Sequence, residues 1–170
     1  RLIRRQRQMC IRDRICIVKK LNFPSYNFRL KNSENKTHIF DEIRKKFVLL
    51  QPEEWVRQHC LNFLIQEKKY PASLINVEKQ IKLNELSKRY DIVIYNNDGS
   101  VHCIVECKAP NVNINQNTFD QIARYNSRLN ASFLMVTNGL NHYYCNMNLT
   151  SNGYNFIKSL PDYSQKKNFI

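Results

Sequence analysis

The sequence predicts an α/β fold of the α+β kind, with a mixed sheet, because helical and strand periodicities alternate along the chain. Glycine and proline are scarce, at 3 and 5 of 170 residues, so most of the chain is expected to be regular structure. This length suits one domain with its own core. The predicted core order is α-β-β-β-α-β, preceded by an N-terminal hairpin.

The two ends of the chain are set apart from this core. Residues 1–20 contribute +7 of the net charge of +13, and part of this segment resembles translated sequencing adapter. It is expected to be a disordered or non-native tail, with a basic DNA-binding arm as the alternative. Residues 21–150 are predicted to form the domain. Residues 151–170, rich in Asn, Ser and Lys, are expected to be loosely ordered.

The clearest predicted element is a helix over 52–69, which follows a hairpin signalled by the turn at 33–36. Pro52 stands at the first helical position, where its missing N–H costs nothing. Glu53 and Glu54 follow, at the positive end of the helix dipole. The apolar residues recur at helical spacing: Val56, Cys60, Phe63 and Leu64.

Beyond this helix the apolar period changes from 3.6 to 2, which indicates strands. The predicted elements are strands at 74–83, 90–95, 101–108 and 132–137, a candidate fifth strand at 142–147, and a helix at 116–129. A two-residue turn centred on Asp98-Gly99 is predicted to join the second and third strands. No run of about 18 apolar residues occurs, so neither a membrane span nor a membrane partner is expected.

The six cysteines include no C-x-x-C pair and follow no signal peptide, which favours reduced thiols in a cytoplasmic protein. A zinc cluster of Cys103, Cys107, His142 and Cys145 is the alternative, although its spacing fits no usual zinc pattern. The phosphate-binding pattern Gly-x-x-x-x-Gly-Lys-Ser/Thr is absent from the sequence, so no ATP site is expected in this chain.

The predicted turn defines a cluster of charged residues. Its register places Asp91 directly opposite Glu106, with Cβ atoms about 5 Å apart. Like charges so placed are destabilising unless a cation lies between them, and Lys108 projects from the same face as Glu106. Two carboxylates can hold Mg²⁺, and the lysine can stabilise charge on a phosphodiester under attack. The alternative is surface charge on an edge strand. The same register pairs Arg89 with Lys108, as a phosphate contact or a solvated charge.

These residues resemble the motif of the PD-(D/E)XK nucleases, with Tyr90 before Asp91 where the motif's name has Pro. Four segments also resemble, in order, the N-terminal nuclease domain of type I restriction enzyme R subunits: PEEWVRQ (52–58), RYDIV (89–93), VECKAP (105–110) and DQIARYN (120–126). The resemblance extends from about residue 23 to residue 147, and implies a PD-(D/E)XK restriction-endonuclease-like core.

The resemblance implies that Asp91 and Glu106 bind Mg²⁺ and that Lys108 is the catalytic lysine. Gln121 and Tyr125 match the family's Gln-x-x-x-Tyr motif. They share a helix face, so they could contact DNA or the lysine, or be a surface pair.

An acid on the first helix usually completes such a site. Glu53 is preferred, because it shares the face of the apolar residues, and Glu54 is the alternative. For both, complementing the helix dipole is an equally good explanation.

The function implied is a Mg²⁺-dependent endonuclease that hydrolyses double-stranded DNA, as the nuclease part of a type I restriction-modification R subunit. Modification and specificity subunits would then be partners. Such a subunit carries a translocase after the nuclease, so the chain is either its front end or a stand-alone protein. The alternatives are a non-catalytic DNA-binding or assembly module of the same fold and a stand-alone DNA repair nuclease.

Overall fold

The computed structural model describes four parts of the chain: residues 19–83, 86–127, 129–148 and 153–163. The basic tail predicted over residues 1–20 therefore lies outside the described residues, except for its last two positions. Within these ranges, no helix is both long and apolar enough to cross a membrane.

The N-terminal part is a three-stranded antiparallel sheet. Its strands are β1 (Leu30–Ser33), β2 (Lys36–Asp41) and β3 (Lys46–Leu49), in that spatial order. Glu34 and Asn35 have φ of 50° and 60°, as the two central residues of a tight hairpin turn require. The predicted hairpin is confirmed. The third strand was not predicted, because its basic and apolar residues suggested only an approach to the following helix.

Helix α1 spans Pro52–Asn62 and continues as a π-helical turn over Phe63–Glu67. Pro52 lies in the first turn as predicted, and Val56 and Cys60 are fully buried on the face that packs on the sheet. The helix predicted over 52–69 is thus confirmed to within two residues.

The main sheet has six strands in sequential spatial order. They are β4 (Ile75–Leu83), β5 (Leu86–Tyr95), β6 (Val101–Cys107), β7 (Phe133–Thr137), β8 (His142–Asn148) and β9 (Gly153–Ile157). Helix α2 (Gln116–Ser127) crosses from β6 to β7, which pair in parallel, whereas the other neighbouring strands are antiparallel. The predicted α/β class, mixed sheet and order α-β-β-β-α-β are confirmed, with β8 and β9 following.

The segment after residue 150 is more ordered than expected. Strand β9 pairs with β8, and Leu160 is buried in the core. Lys68 anchors the chain beyond it, since its Nζ lies 3.1 Å from Asp162 Oδ1 and its carbonyl accepts from Tyr163 N–H. The expectation of a loosely ordered tail is therefore wrong for residues 153–163. The abundance of Asn, Ser and Lys concealed the apolar residues that hold this segment.

The core occupies both faces of the main sheet. Ile92 and Val105 pack beneath α1, whereas Val93 and Ile104 pack beneath α2. Alternation along each strand produces this division. The same alternation separates the proposed zinc ligands, because Cys103 and Cys107 lie on the α1 face and Cys145 lies on the other.

Gly139 lies close to the core at the end of β7. Its φ is +82°, and an added Cβ would lie 2.8 Å from Leu21 Cδ2 and 3.0 Å from Val56 Cγ2. Gly99 has nearly the same φ, +83°, but open space around it.

Gly99→Ala is therefore expected to cost about 1–2 kcal/mol of backbone strain. Gly139→Ala is expected to cost about 1–3 kcal/mol more through overpacking, in chemical denaturation. Equal losses in the two variants would show that Leu21 and Val56 yield freely.

Candidate active site

The turn between β5 and β6 is longer than predicted. Gly99 N–H donates to Asn96 O, and a five-residue loop, 96–100, replaces the two-residue turn. An irregularity after the loop then restores the predicted register, with Ile92 opposite Val105. The turn type was wrong, because the sequence pattern cannot show a bulge, but the strand alignment was right.

Asp91 and Glu106 are the next residues beyond the Ile92–Val105 pair on their two strands, but they do not pair with each other. Asp91 Oδ2 instead accepts a hydrogen bond of 2.7 Å from Cys107 N–H. The ladder on the other side of β5 is also interrupted here, because Glu78 of β4 has φ +51° and does not pair with Asp91, which it faces. Tyr90 packs on the α2 face, although alternation from Ile92 would put it on the α1 face. Strand alternation therefore breaks at Asp91, and the Asp91 side chain reaches Arg57 of α1.

Arg57 of α1 is the partner that Asp91 meets there. Its Nη2 donates to Asp91 Oδ1 at 2.8 Å and to Glu53 Oε1 at 3.1 Å, and its Nη1 donates to Glu54 Oε2. The arginine side chain is only 6% exposed. Burial alone would lower the pKa of Arg57, but Asp91 and Glu54 outweigh it and raise the pKa above its usual value. Arg57 therefore stays charged and neutralises the acids around it.

Lys108 and Glu106 form the second half of the cluster. Lys108 Nζ lies 3.0 Å from Glu106 Oε1, and Lys88 Nζ lies 4.0 Å from Glu106 Oε2. Burial alone would lower the pKa of Lys108, but Glu106, then Asp91 and Glu53, raise it. The lysine therefore lies within the field of all three carboxylates.

The two helix acids have different surroundings. Glu53 is 46% exposed, and its pKa is raised by burial and then by Asp91. Glu54 is 9% exposed and accepts from Arg44, Arg57 and Gln58. Glu53 thus shares the field of the cluster, whereas the oxygens of Glu54 are engaged in a structural network.

The remaining predicted residues lie further out. Arg89 pairs with Gln80 on β4, its side chain is 69% exposed, and its Nη2 lies 3.8 Å from Glu78 Oε1. The expected pairing with Lys108 is wrong, because β6 ends before Lys108 and the β5–β6 ladder ends at Ile92. Gln121 is exposed on α2. Tyr125 belongs to the same helix, but its side chain lies outside the described part of the structure.

Residues 52–161 match a family model described as type I restriction enzyme R protein N terminus (HSDR_N). The match covers well over half of the chain and includes the whole charged cluster. The chain belongs to this family. The family is thus the one that the four sequence segments indicate.

Among solved structures, the chain is similar to a fragment described as an HsdR subunit of a type I restriction enzyme from Vibrio vulnificus YJ016. The TM-score is 0.46 and the sequence identity is 18%, over 65% of this chain and 24% of that chain. This chain thus corresponds to about a quarter of that structure's length. No curated protein sequence matches the chain.

In this HSDR_N domain, the acids of the cluster offer hard oxygen donors of the kind that suit Mg²⁺. Both oxygens of Asp91 accept a hydrogen bond, yet each carboxylate oxygen has a second lone pair. No group of three or more His, Cys, Asp or Glu in the described residues is arranged to hold a metal. Mg²⁺ commonly uses one or two carboxylates and keeps several waters, and Asp91 and Glu106 supply oxygen donors of that class.

Arg57 and Arg44 connect the HSDR_N cluster to the rest of the molecule, although neither is among the predicted site residues. Arg44 follows β2 and donates to Asp41, Glu54 and Glu78 at 2.6–2.7 Å. The spacing of Arg57, three and four residues after the helix acids, is visible in the sequence. Its contact with β5, 34 residues away, is not.

Proposed function

We propose that this domain is a Mg²⁺-dependent endonuclease that hydrolyses phosphodiester bonds of double-stranded DNA. It would act in the cytoplasm as the nuclease part of a type I restriction-modification R subunit, with modification and specificity subunits as partners. One observation carries the proposal: Arg57 joins Glu53 to Asp91, and Asp91 accepts from the backbone between Glu106 and Lys108, which bond to each other.

The roles follow from the contacts. Asp91 and Glu106 would hold the Mg²⁺, which when bound lowers the pKa of a water and offsets charge on the phosphate. Lys108, which is 30% exposed, can present its N–H donors to a phosphate oxygen while Glu106 holds its ammonium group. Glu53 is more exposed than Asp91 and Glu106, and it can accept a hydrogen bond from the attacking water.

The outer residues would support DNA binding. Gln121 is exposed on α2, and Tyr125 lies one turn further along the same helix. The side chain of Arg89 is 69% exposed, and its Nη2 lies 3.8 Å from Glu78 Oε1. We propose that these three side chains contact the DNA backbone rather than the reacting atoms.

The plasmid assay tests the proposal directly. Supercoiled plasmid is incubated with the protein in Mg²⁺ or in EDTA, and conversion to open circles is timed. Wild type should cut only in Mg²⁺. Asp91→Asn should cut at least about 100-fold more slowly, because it removes a charge that holds the cation. The matched control is Asp98→Asn, at the loop end of the same hairpin, which should cut like wild type.

Calorimetric titration with Mg²⁺ accompanies this assay. Loss of measurable binding in Asp91→Asn, with unchanged circular dichroism, would assign the effect to the metal site. Equal cutting by wild type and Asp91→Asn would contradict the proposal.

The second candidate is a non-catalytic DNA-binding or assembly module, which the double hydrogen bonding of Asp91 favours. DNA binding by a wild-type protein that neither cuts nor binds Mg²⁺ would select this module.

A further inference from the structure

A cleft of about 610 Å³ lies between the three-stranded sheet and the beginning of α1. One wall contains Lys36 and Leu49 from the ends of β2 and β3, and another contains Pro52 and Trp55 of α1. Pro110, from the loop after β6, closes a third side. The candidate active site uses none of these residues, so the cleft is a separate feature of the surface.

The cleft is nevertheless continuous in the chain with that site. Pro52 directly precedes Glu53, and Pro110 follows Lys108 by two residues. The lining of the cleft therefore comes within two residues of both Glu53 and Lys108.

The lining combines cationic and apolar groups. Lys19 and Lys36 supply the charge, and no acid occurs among the described residues that line the cleft. Leu49, which is 37% exposed, adds apolar surface to this lining. This pairing of positive charge with apolar surface is complementary to a nucleotide, which carries a phosphate and a flat base.

Trp55 provides the flat surface. Its Nε1 donates to Lys19 O at 3.2 Å, which fixes the orientation of the indole. The rings of Phe28 and His59 meet it at 55° and 72°, so they support it from the side rather than as parallel stacks. An aromatic ring held in this way can stack on any base.

We propose that this cleft binds unpaired nucleotides of the DNA strand next to the bond that is cut, a proposal that rests on the function proposed above. A base stacks on Trp55, and Lys36 and Lys19 bind the neighbouring phosphates. The volume lies within the range of small-ligand pockets, about 300–1,000 Å³, so it holds one or two nucleotides rather than a duplex. In this proposal the substrate is locally unpaired when it binds.

Trp55 is the sole tryptophan of the chain, so its fluorescence reports occupancy of the cleft directly. The protein is titrated with a short 5′-phosphorylated oligothymidylate in EDTA, where no cutting occurs. Saturable quenching is expected, and a duplex of the same length should quench much less.

Lys36→Glu and Lys31→Glu are the matched variants, because both lysines lie in the first hairpin, but Lys36 lines the cleft and Lys31 does not. Lys36→Glu should weaken binding about tenfold at low salt, through loss of a phosphate contact and added repulsion. Lys31→Glu should bind like wild type. Both positions are exposed, so neither variant should impair folding.

Unchanged fluorescence at high oligonucleotide concentration would overturn the proposal. A protein segment, rather than a nucleotide, would then be the expected ligand of the apolar lining. Equal binding by the two lysine variants would also overturn it. Quenching in a protein that cuts no plasmid would retain the cleft and reject the nuclease, whereas cutting without quenching would reject the cleft alone.

Discussion

Arg57→Met is expected to lower the free energy of unfolding by about 3–5 kcal/mol, measured by chemical denaturation at neutral pH. The substitution keeps most of the side-chain volume but leaves Glu54, which is 9% exposed, and Asp91, 17% exposed, without their shared cation. An uncompensated buried charge costs more than the pair itself contributes. The lower end of the range is favoured, because Arg44 and Gln58 still bond to Glu54.

An unsatisfied hydrogen-bond donor also reduces the expected loss of unfolding free energy in Arg57→Met. Arg57 Nε is buried, and no hydrogen-bond partner for it is found in the described structure, so truncation removes one unsatisfied donor. Arg29→Met is the control, because Arg29 pairs with Glu42 at 3.0 Å with 62% and 56% exposure. It should cost about 1 kcal/mol or less. Similar losses in the two variants would show that the buried network adds no stability beyond a surface ion pair.

Lys108→Met is expected to slow Mg²⁺-dependent plasmid cutting by about 100- to 1,000-fold, the effect of removing one donor to a developing charge. Its stability should change by about 1 kcal/mol or less, since the lysine is 30% exposed and bonds to one carboxylate. Binding of Mg²⁺ should tighten, because a positive charge next to Glu106 and Asp91 is lost. The variant therefore separates catalysis from metal binding.

Lys158→Met is the matched control, because Lys158 is exposed just beyond β9, at the far edge of the sheet. It should leave both cutting and Mg²⁺ binding unchanged. If Lys108→Met cut at the wild-type rate, the lysine would be a surface charge of the loop after β6, the alternative that the isolated Glu-x-Lys pattern allows.

Local signals predicted much of the fold. Pro52 and the acids after it marked the beginning of α1, and the strand alternation around Ile92 and Val105 gave the correct register. These features depend on neighbouring residues, whose side chains report helix capping and strand period directly.

Long-range features were beyond such signals. Glu78 adopts a left-handed conformation that is uncommon for a glutamate, so the sequence did not indicate the interrupted pairing at Asp91. Arg57 meets Asp91 across 34 residues, so only the assembled fold shows that contact. The sequence thus indicated the acids and the lysine as candidates, but it did not indicate that Arg57 binds Asp91.

The N-terminal sheet sets a practical limit on how this gene can be dissected. The family match begins at Pro52, yet Asp41 and Arg44, which precede it, bond to Glu54 and Gln58 inside α1. A fragment trimmed to the matched region would expose those acceptors and donors and discard the sheet that covers them. Expression trials and recombinant fusions should therefore start upstream of β1, because contacts that hold α1 come from residues before the matched region.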